Sequence, residues 1–243
     1  MKMSGQPLRA SLCLLGVLLA GPALAEDLPS ARSEARRVAR VVRTPGKEET
    51  KAGIATRSFL ALGNNIQGLE ILSGPAGVKR AVEKLNRQLI LRYFECMDSG
   101  AESDAKADFS GGVALVAATR HFMLLRQSAT YWCGGAHPDH DREFLILDRR
   151  GGEPIDIAAW LKVPPASLGR AYWKNGADGC ADALSDGTEF LLWPTPEGLA
   201  MEPILPHAID ACADQVTVPY ARLAKKLSPA GRRAIAEFAG AAK

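Results

Sequence analysis

The chain has 243 residues, of which 47% are hydrophobic and 23% charged, with 30 basic and 27 acidic residues and a formal net charge of +3. This near-balance of charge gives no reason to expect nucleic-acid binding. The length and hydrophobic content can support one sizeable core or two small ones.

The first 25 residues have the composition of a secretory signal peptide. Lys2 and Arg9 flank the start of the apolar stretch SLCLLGVLLAGPALA, which ends in the small-residue sequence Ala23-Leu24-Ala25. This stretch is shorter than the roughly 20 residues of a membrane span. We therefore predict cleavage after Ala25 and an exported, periplasmic mature chain without a membrane span.

Four cysteines remain after this cleavage: Cys96, Cys133, Cys180 and Cys212. An even number of cysteines in an oxidising compartment predicts disulfides. Of the three possible connectivities we favour the pairing of sequence neighbours, which joins Cys96 to Cys133. The same rule joins Cys180 to Cys212, and each bridge stabilises by roughly 3–4 kcal/mol. A Cys–His metal site is the rival hypothesis, but the cysteines form no CxxC pair.

The N-terminal part of the mature chain predicts a polar lead-in, a hairpin and a helix. Residues 26–52 are polar and charged. They are compatible with a basic amphipathic helix or a first strand, and we predict a partly ordered segment. Residues 55–74 contain two apolar runs around the turn residues Gly63 and Asn64, which is typical of a hairpin. Residues 75–97 have apolar side chains at helical spacing and predict a core-facing helix.

The rest of the chain predicts strands grouped with short helices. The expected elements are a loop at 99–112, two strands within 112–132, a strand at 142–148, a helix at 166–184, a hairpin at 188–205, a strand followed by a helix at 215–227 and a last helix at 228–243. Ser228 and Pro229 are residue types preferred at the N-cap and first position of a helix. Without regular βαβ alternation, the predicted fold class is α+β, an antiparallel sheet with packed helices.

Two blocks of sequence resemble the RsiV-like extracytoplasmic domain family. The first, YWCGGAHPDHDREFLILDRRGGEPIDIAAWL, has a Gly-Gly-Ala-His turn, a strand ending in Asp and a glycine turn. The second, FLLWPTPEGLAMEPILPHAIDACADQVTVPYARLAKKL, contains a Val-Pro-Tyr segment near its end. The resemblance covers about residues 108–230. It implies a smaller α/β subdomain with the polar lead-in at 26–107 and an RsiV-like domain at 108–243.

The resemblance implies binding without catalysis. Domains of this family form the extracytoplasmic part of anti-sigma factors that bind lysozyme, and they precede the catalytic domain of some peptidoglycan deacetylases. Neither sigma-binding nor deacetylase sequence is recognisable here, so we expect a stand-alone binding module of the cell envelope. The expected partner is a peptidoglycan-derived glycan or an envelope protein such as a lysozyme-like muralytic enzyme. Cys133, inside the turn, departs from the family pattern and indicates a disulfide-stabilised branch.

His137 and His140 raise the alternative of an enzyme that acts on the cell wall. They lie three residues apart beside Asp139 and Asp141, and these side-chain types can bind zinc. Pro138 and the two preceding glycines instead predict a turn in which His137 makes a structural hydrogen bond. The sequence has no G-x-S-x-G or H-E-x-x-H motif. We therefore expect no catalytic residue, no metal and no cofactor.

Aromatic side chains are the candidate binding residues, because flat rings stack on sugar faces and anchor protein contacts. Trp160 and Trp193 lie in apolar runs and are expected in the core. Tyr131, Trp132 and Trp173 are the better candidates for surface positions. The predicted binding residues are Tyr131, Trp132, His137 and Trp173.

Overall fold

The computed structural model describes residues 28–102, 106–173, 180, 183–185 and 187–240. The predicted signal peptide, residues 1–25, and part of the predicted helix at 166–184 lie outside these ranges. Within them, no helix is both long enough and apolar enough to cross a membrane.

A seven-stranded sheet forms the first layer, and its strands are adjacent in chain order. They are β1 (Arg43–Lys51), β2 (Ile54–Ala61), β3 (Ile66–Ile71), β4 (Asp108–Ala118), β5 (Phe122–Trp132), β6 (Asp139–Asp148) and β7 (Pro154–Ile155). Neighbouring strands are antiparallel except β3 and β4, which are parallel and connected by helix α2 (Ala76–Glu102). The predicted α+β class is confirmed.

Helix α2 packs on one face of this sheet, because its buried residues recur at helical spacing. They include Val78, Val82, Leu85, Asn86, Leu89 and Ile90. Together with buried side chains of β2 to β6 they form one hydrophobic cluster. The predicted domain boundary between residues 107 and 108 falls between α2 and β4, inside this sheet and cluster. The division into two domains stays a prediction.

The parallel contact between β3 and β4 is short and is continued by a side chain. The two strands pair only at Ile66 and Gln67 of β3. Further along β3, the side chain of Asn86 on α2 takes the place of a strand. Its Oδ1 accepts from the backbone N–H of Leu69 at 3.1 Å, and its Nδ2 donates to the Leu69 carbonyl at 2.7 Å. The helix thereby satisfies both backbone groups of Leu69 on the side of β3 that faces away from β2.

A second layer consists of a three-stranded antiparallel sheet in the order β10-β9-β8 with several short helices. Its elements are α3 (Pro165–Tyr172), β8 (Phe190–Pro194), β9 (Gly198–Pro203), β10 (Val216–Pro219), α4 (Tyr220–Leu223), α5 (Pro229–Gly240) and the 3₁₀ helices Ile157–Trp160 and His207–Cys212. Between the layers, Leu124 and Ile146 of the large sheet pack with Trp160, Trp193 and Phe238. The prediction that Trp160 and Trp193 lie in the core is confirmed.

The structure contains more regular elements near the N-terminus than the sequence predicted. Helix α1 (Leu28–Ala39) and strand β1 occupy the expected lead-in. Strand β1 is polar and exposed over most of its length, so it lacks the alternation that identifies a strand. It is held by pairing with β2 across a turn in which Ala52 and Gly53 have φ of 48° and 73°. The predicted loop at 99–112 is also shorter, since α2 extends to Glu102 and β4 begins at Asp108.

Both disulfides join the cysteines that are neighbours in sequence. The Cα atoms of Cys96 and Cys133 lie 4.7 Å apart, and those of Cys180 and Cys212 lie 5.5 Å apart. The first bridge links α2 to the segment after β5, and the second links a residue after α3 to the end of the second 3₁₀ helix. The Cys–His metal hypothesis is wrong, because all four sulfur atoms are in covalent bonds with one another.

Candidate functional site

An open groove of about 470 Å³ lies on the face of the large sheet that α2 does not cover. Its floor consists of three cross-strand pairs of β4 and β5, Ser110–Thr130, Gly112–Ser128 and Ala114–Arg126. Its rim on the side of the β2–β3 hairpin consists of Leu60, Asn64 and Gln67. We refer to these residues as the sheet-face groove.

The two-residue period of the strands assigns these side chains to the open face. Phe109 and Val113 of β4, and Leu125 and Ala129 of β5, are buried in the cluster with α2. The residues that alternate with them therefore point to the opposite face. Gly112 keeps the floor low, since a Cβ at this position would lie 3.2 Å from the backbone oxygen of the neighbouring strand.

The second layer covers the same sheet face at β6 and at Leu124 of β5, and leaves open the part of β4 and β5 that forms the floor of the groove. Phe144, the β6 partner of Arg126, stacks on Trp193 of β8 with ring centroids 4.1 Å apart. Arg142 forms an ion pair with the buried Glu202 of β9. Two residues before Arg142 on β6, His140 Nε2 lies 3.1 Å from a carboxylate oxygen of Asp210, in the 3₁₀ helix His207–Cys212.

Six polar side chains line the sheet-face groove. They are Asn64, Gln67, Ser110, Arg126, Ser128 and Thr130. Among the described ranges of the chain, none of these side chains forms a hydrogen bond or an ion pair with another residue. Arginines on either side are paired, Arg57 with Glu70 and Arg142 with Glu202. The groove thus presents neutral donors and acceptors and one guanidinium to a ligand.

Tyr131 and Trp132, two predicted binding residues, lie on opposite faces of β5. Tyr131 faces α2, stacks on Phe109 with centroids 6.0 Å apart, and has the guanidinium carbon of Arg92 5.5 Å from its ring centroid. Trp132 lies on the groove face, because it follows Thr130 by two positions. Its Nε1 donates to the backbone carbonyl of Gly135 at 2.6 Å, which holds the half-buried indole beside the loop.

The surroundings of Tyr131 form a satisfied structural cluster. Burial raises the pKa of Tyr131, and the charges of Asp139 and Asp141 raise it further, so the phenol stays neutral. Burial lowers the pKa of Arg92, but its hydrogen bond and charge interaction with Asp141 raise that pKa by more. Cys96–Cys133 lies beside them. These groups tie α2 to β5 and β6 across the sheet.

The predicted histidine loop is divided between a loop and a strand. His137 is exposed in the segment between β5 and β6, whereas His140 is already part of β6 and pairs with Asp210. Within the described part of the chain, no group of three or more His, Cys, Asp or Glu side chains is placed to hold a metal ion. A chemical role for the His137 loop stays a hypothesis.

The prediction that Trp173 is a surface binding residue is wrong. Its side chain is only 5% exposed and belongs to the hydrophobic cluster of the second layer. Its Nε1 donates to the backbone carbonyl of Asp214 at 3.0 Å. A buried indole with a satisfied N–H is a core residue, which the polar sequence around Trp173 concealed.

The sequence analysis missed the residues of the sheet-face groove. Ser110 and Gly112 stand in a glycine-rich stretch that predicted a loop. Arg126, Ser128 and Thr130 alternate with less polar residues in the segment RQSAT, and this alternation is the signal of a strand with one polar face. The signal shows that the side chains share a face, but not that this face is left open.

Comparison with known proteins identifies a similar fold. No family model matches the chain, and no curated protein matches it. A crystal structure of a DUF3298 family member from Bacteroides fragilis matches with a TM-score of 0.51 and 12% identity, over 82% of this chain and 95% of that chain. A DUF3298 family protein from Pseudomonas aeruginosa matches with a TM-score of 0.44 and 15% identity, over 78% of this chain and 94% of that chain. The first likeness supports the α+β fold.

Proposed function

We propose that this protein is an exported, non-catalytic binding module of the cell envelope that holds a peptidoglycan-derived glycan in the sheet-face groove. One observation carries the proposal: six polar side chains converge on this groove, and none is bonded to another described residue. Hydroxyl and amide groups that the fold does not use are the groups that hydrogen-bond to sugar hydroxyls and acetamido groups.

The shape and borders of the groove support a sugar chain as its ligand. The floor of β4 and β5 carries no side chain at Gly112, which gives a pyranose ring access to the backbone. Arg126 supplies one positive charge for an acidic substituent. Trp132, on the same strand face, offers an aromatic ring on which a sugar can stack.

The compartment and the family resemblance support the same proposal. Two disulfides are typical of proteins in an oxidising compartment. The signal-peptide composition of residues 1–25 favours the periplasm. The resemblance of residues 108–230 to the RsiV-like domain adds an envelope binding role without catalysis, and we propose that the chain is a stand-alone, disulfide-stabilised relative of that domain.

The test is co-sedimentation of the purified mature protein with purified peptidoglycan. We expect the wild type to pellet with the polymer and the double variant Arg126→Ala/Thr130→Ala to bind at least tenfold more weakly. Gln88→Ala is the matched control, since Gln88 is exposed on α2 on the other side of the sheet. Equal sedimentation of wild type and groove variant would contradict the proposed site. If the wild type stays in solution but binds a muralytic enzyme, its partner is a protein and not the glycan.

A further inference from the structure

A second cleft, of about 810 Å³, adjoins the sheet-face groove. It lies between α1, the start of β1, the β2–β3 turn and α2. Its lining includes Arg36, Arg40, Val42, Leu60, Asn64 and Phe94. We refer to it as the arginine cleft. Leu60 and Asn64 also line the sheet-face groove, so the two depressions share one rim.

Two guanidinium groups in the arginine cleft have no acidic partner among the residues that the structure describes. Arg36 lies in the last turn of α1 and Arg40 directly follows the end of that helix, and in the described part of the chain neither side chain forms a hydrogen bond or an ion pair. No described residue that lines the cleft is acidic. By contrast, Arg37 between them forms a two-pronged ion pair with Asp98 at 2.5 and 2.9 Å and lies over the ring of Phe94.

The lining also includes two large hydrophobic side chains that are exposed. Val42 is 80% exposed and Leu60 is 36% exposed, although both are large hydrophobic residues. Phe94 adds an aromatic ring on the α2 side. Two cations above an apolar surface match a ligand that carries carboxylates on an aliphatic backbone, because the guanidinium fork binds carboxylates in pairs of hydrogen bonds.

The shared rim has a strained backbone. Leu62, Gly63 and Asn64 have φ of 54°, 67° and 75°, and this left-handed region is unfavourable for Leu. Such strain persists where the surroundings hold it, and it concentrates at ligand-binding positions. Here it lies in the turn between β2 and β3, whose Asn64 lines both depressions.

From the shared rim and the two unpaired arginines, we infer that both depressions bind one ligand, an acidic glycopeptide fragment of peptidoglycan. The sheet-face groove holds the neutral sugar, and Arg36 and Arg40 hold carboxylates of the attached peptide. The aliphatic side chains of that peptide then cover Val42 and Leu60. This inference rests on the proposed function and specifies which part of the polymer is read by charge.

Isothermal titration calorimetry with two soluble probes tests the inference. The probes are a neutral N-acetylglucosamine tetramer and an anionic disaccharide–tetrapeptide, each titrated into wild type and the double variant Arg36→Gln/Arg40→Gln. We expect the variant to bind the anionic probe at least tenfold more weakly and the neutral probe unchanged, with a weaker salt dependence. Arg87→Gln, an exposed arginine on α2, is the control for a general loss of positive charge.

The remaining outcomes have distinct meanings. An unchanged affinity of the double variant for the anionic probe would overturn the role of the arginine cleft while leaving the sugar site standing. An equal loss of affinity for both probes would also overturn it, because the two arginines would then maintain the structure of the groove and would not bind the carboxylates of the ligand. A wild type that binds neither probe would refute the proposed function itself. Binding to anionic phospholipid vesicles that is lost in the double variant would assign the cleft to a membrane surface instead.

Discussion

Replacement of Asn86 by Leu removes the side chain that hydrogen-bonds to the backbone of β3 where no neighbouring strand pairs with it. Asn86 is 1% exposed, and it bonds both the N–H and the carbonyl of Leu69, whose side chain is buried as well. Leucine has a similar volume but neither a donor nor an acceptor. The variant therefore leaves two buried backbone groups without partners while creating little cavity.

The expected loss of stability follows from these two groups. Each buried backbone donor or acceptor left without a partner costs about 1–3 kcal/mol. For the N–H and the carbonyl of Leu69 together, the loss is roughly 2–6 kcal/mol, and the better burial of the leucine side chain offsets part of it. We expect a net decrease of about 3 kcal/mol in the free energy of unfolding, against a typical total of about 5–15 kcal/mol.

Urea denaturation of wild type and Asn86→Leu, followed by circular dichroism, measures this difference. The midpoint should fall while the dependence on urea concentration stays the same, because the area exposed on unfolding is unchanged. Gln88→Leu is the control on the exposed side of the same helix, where we expect a change within about 0.5 kcal/mol. If Asn86→Leu were as stable as this control, the side-chain bridge to β3 would not contribute to folding, and the reasoning would be refuted.

Three further predictions concern the Cys96–Cys133 disulfide, the carboxylate of Glu237 and the buried indole of Trp173. Cys96→Ser/Cys133→Ser should destabilise the protein by about 4 kcal/mol in the chain-entropy model, measured by urea denaturation; a loss below about 1 kcal/mol would show that the bridge constrains little. Glu237→Gln should lower the melting temperature at pH 7, and the difference from wild type should shrink below about pH 4. Burial raises the pKa of Glu237, but hydrogen bonds, the first from His121, lower it overall, so its stabilisation is present above the unfolded pKa and lost as pH falls through the folded pKa. A pH-independent difference would contradict that sign. Trp173→Ala should destabilise by about 4 kcal/mol, as expected for a buried aromatic residue, and a stable variant would restore its surface role.

Local patterns in the sequence predicted much of the fold, because they act within a few residues. The apolar spacing from Val78 to Leu89 identified helix α2. Thr195 and Gly198 identified the turn between β8 and β9. At the start of α5, the Ser228 hydroxyl accepts a hydrogen bond from the N–H of Gly231, three residues on, as an N-cap does.

Other elements depend on contacts that local patterns do not encode. Strand β1 has no apolar alternation, and only its pairing with β2 makes it a strand. Ser110 and Gly112 have residue types typical of loops, but they are held in β4 by parallel and antiparallel neighbours. Propensity is therefore overridden here by the sheet around them.

The amino-acid sequence alone predicted the α+β class and the buried positions of Trp160 and Trp193, since apolar runs report on these directly. For the cysteines it favoured one of three possible pairings, and the structure has that pairing. Only the tertiary structure decided that Trp173 is covered, and that the segment from Arg126 to Thr130 is left open beside a cleft whose Arg36 and Arg40 have no acidic partner in the described chain. The reason is physical: a strand's period shows which side chains share a face, whereas the packing of distant layers decides which faces meet solvent.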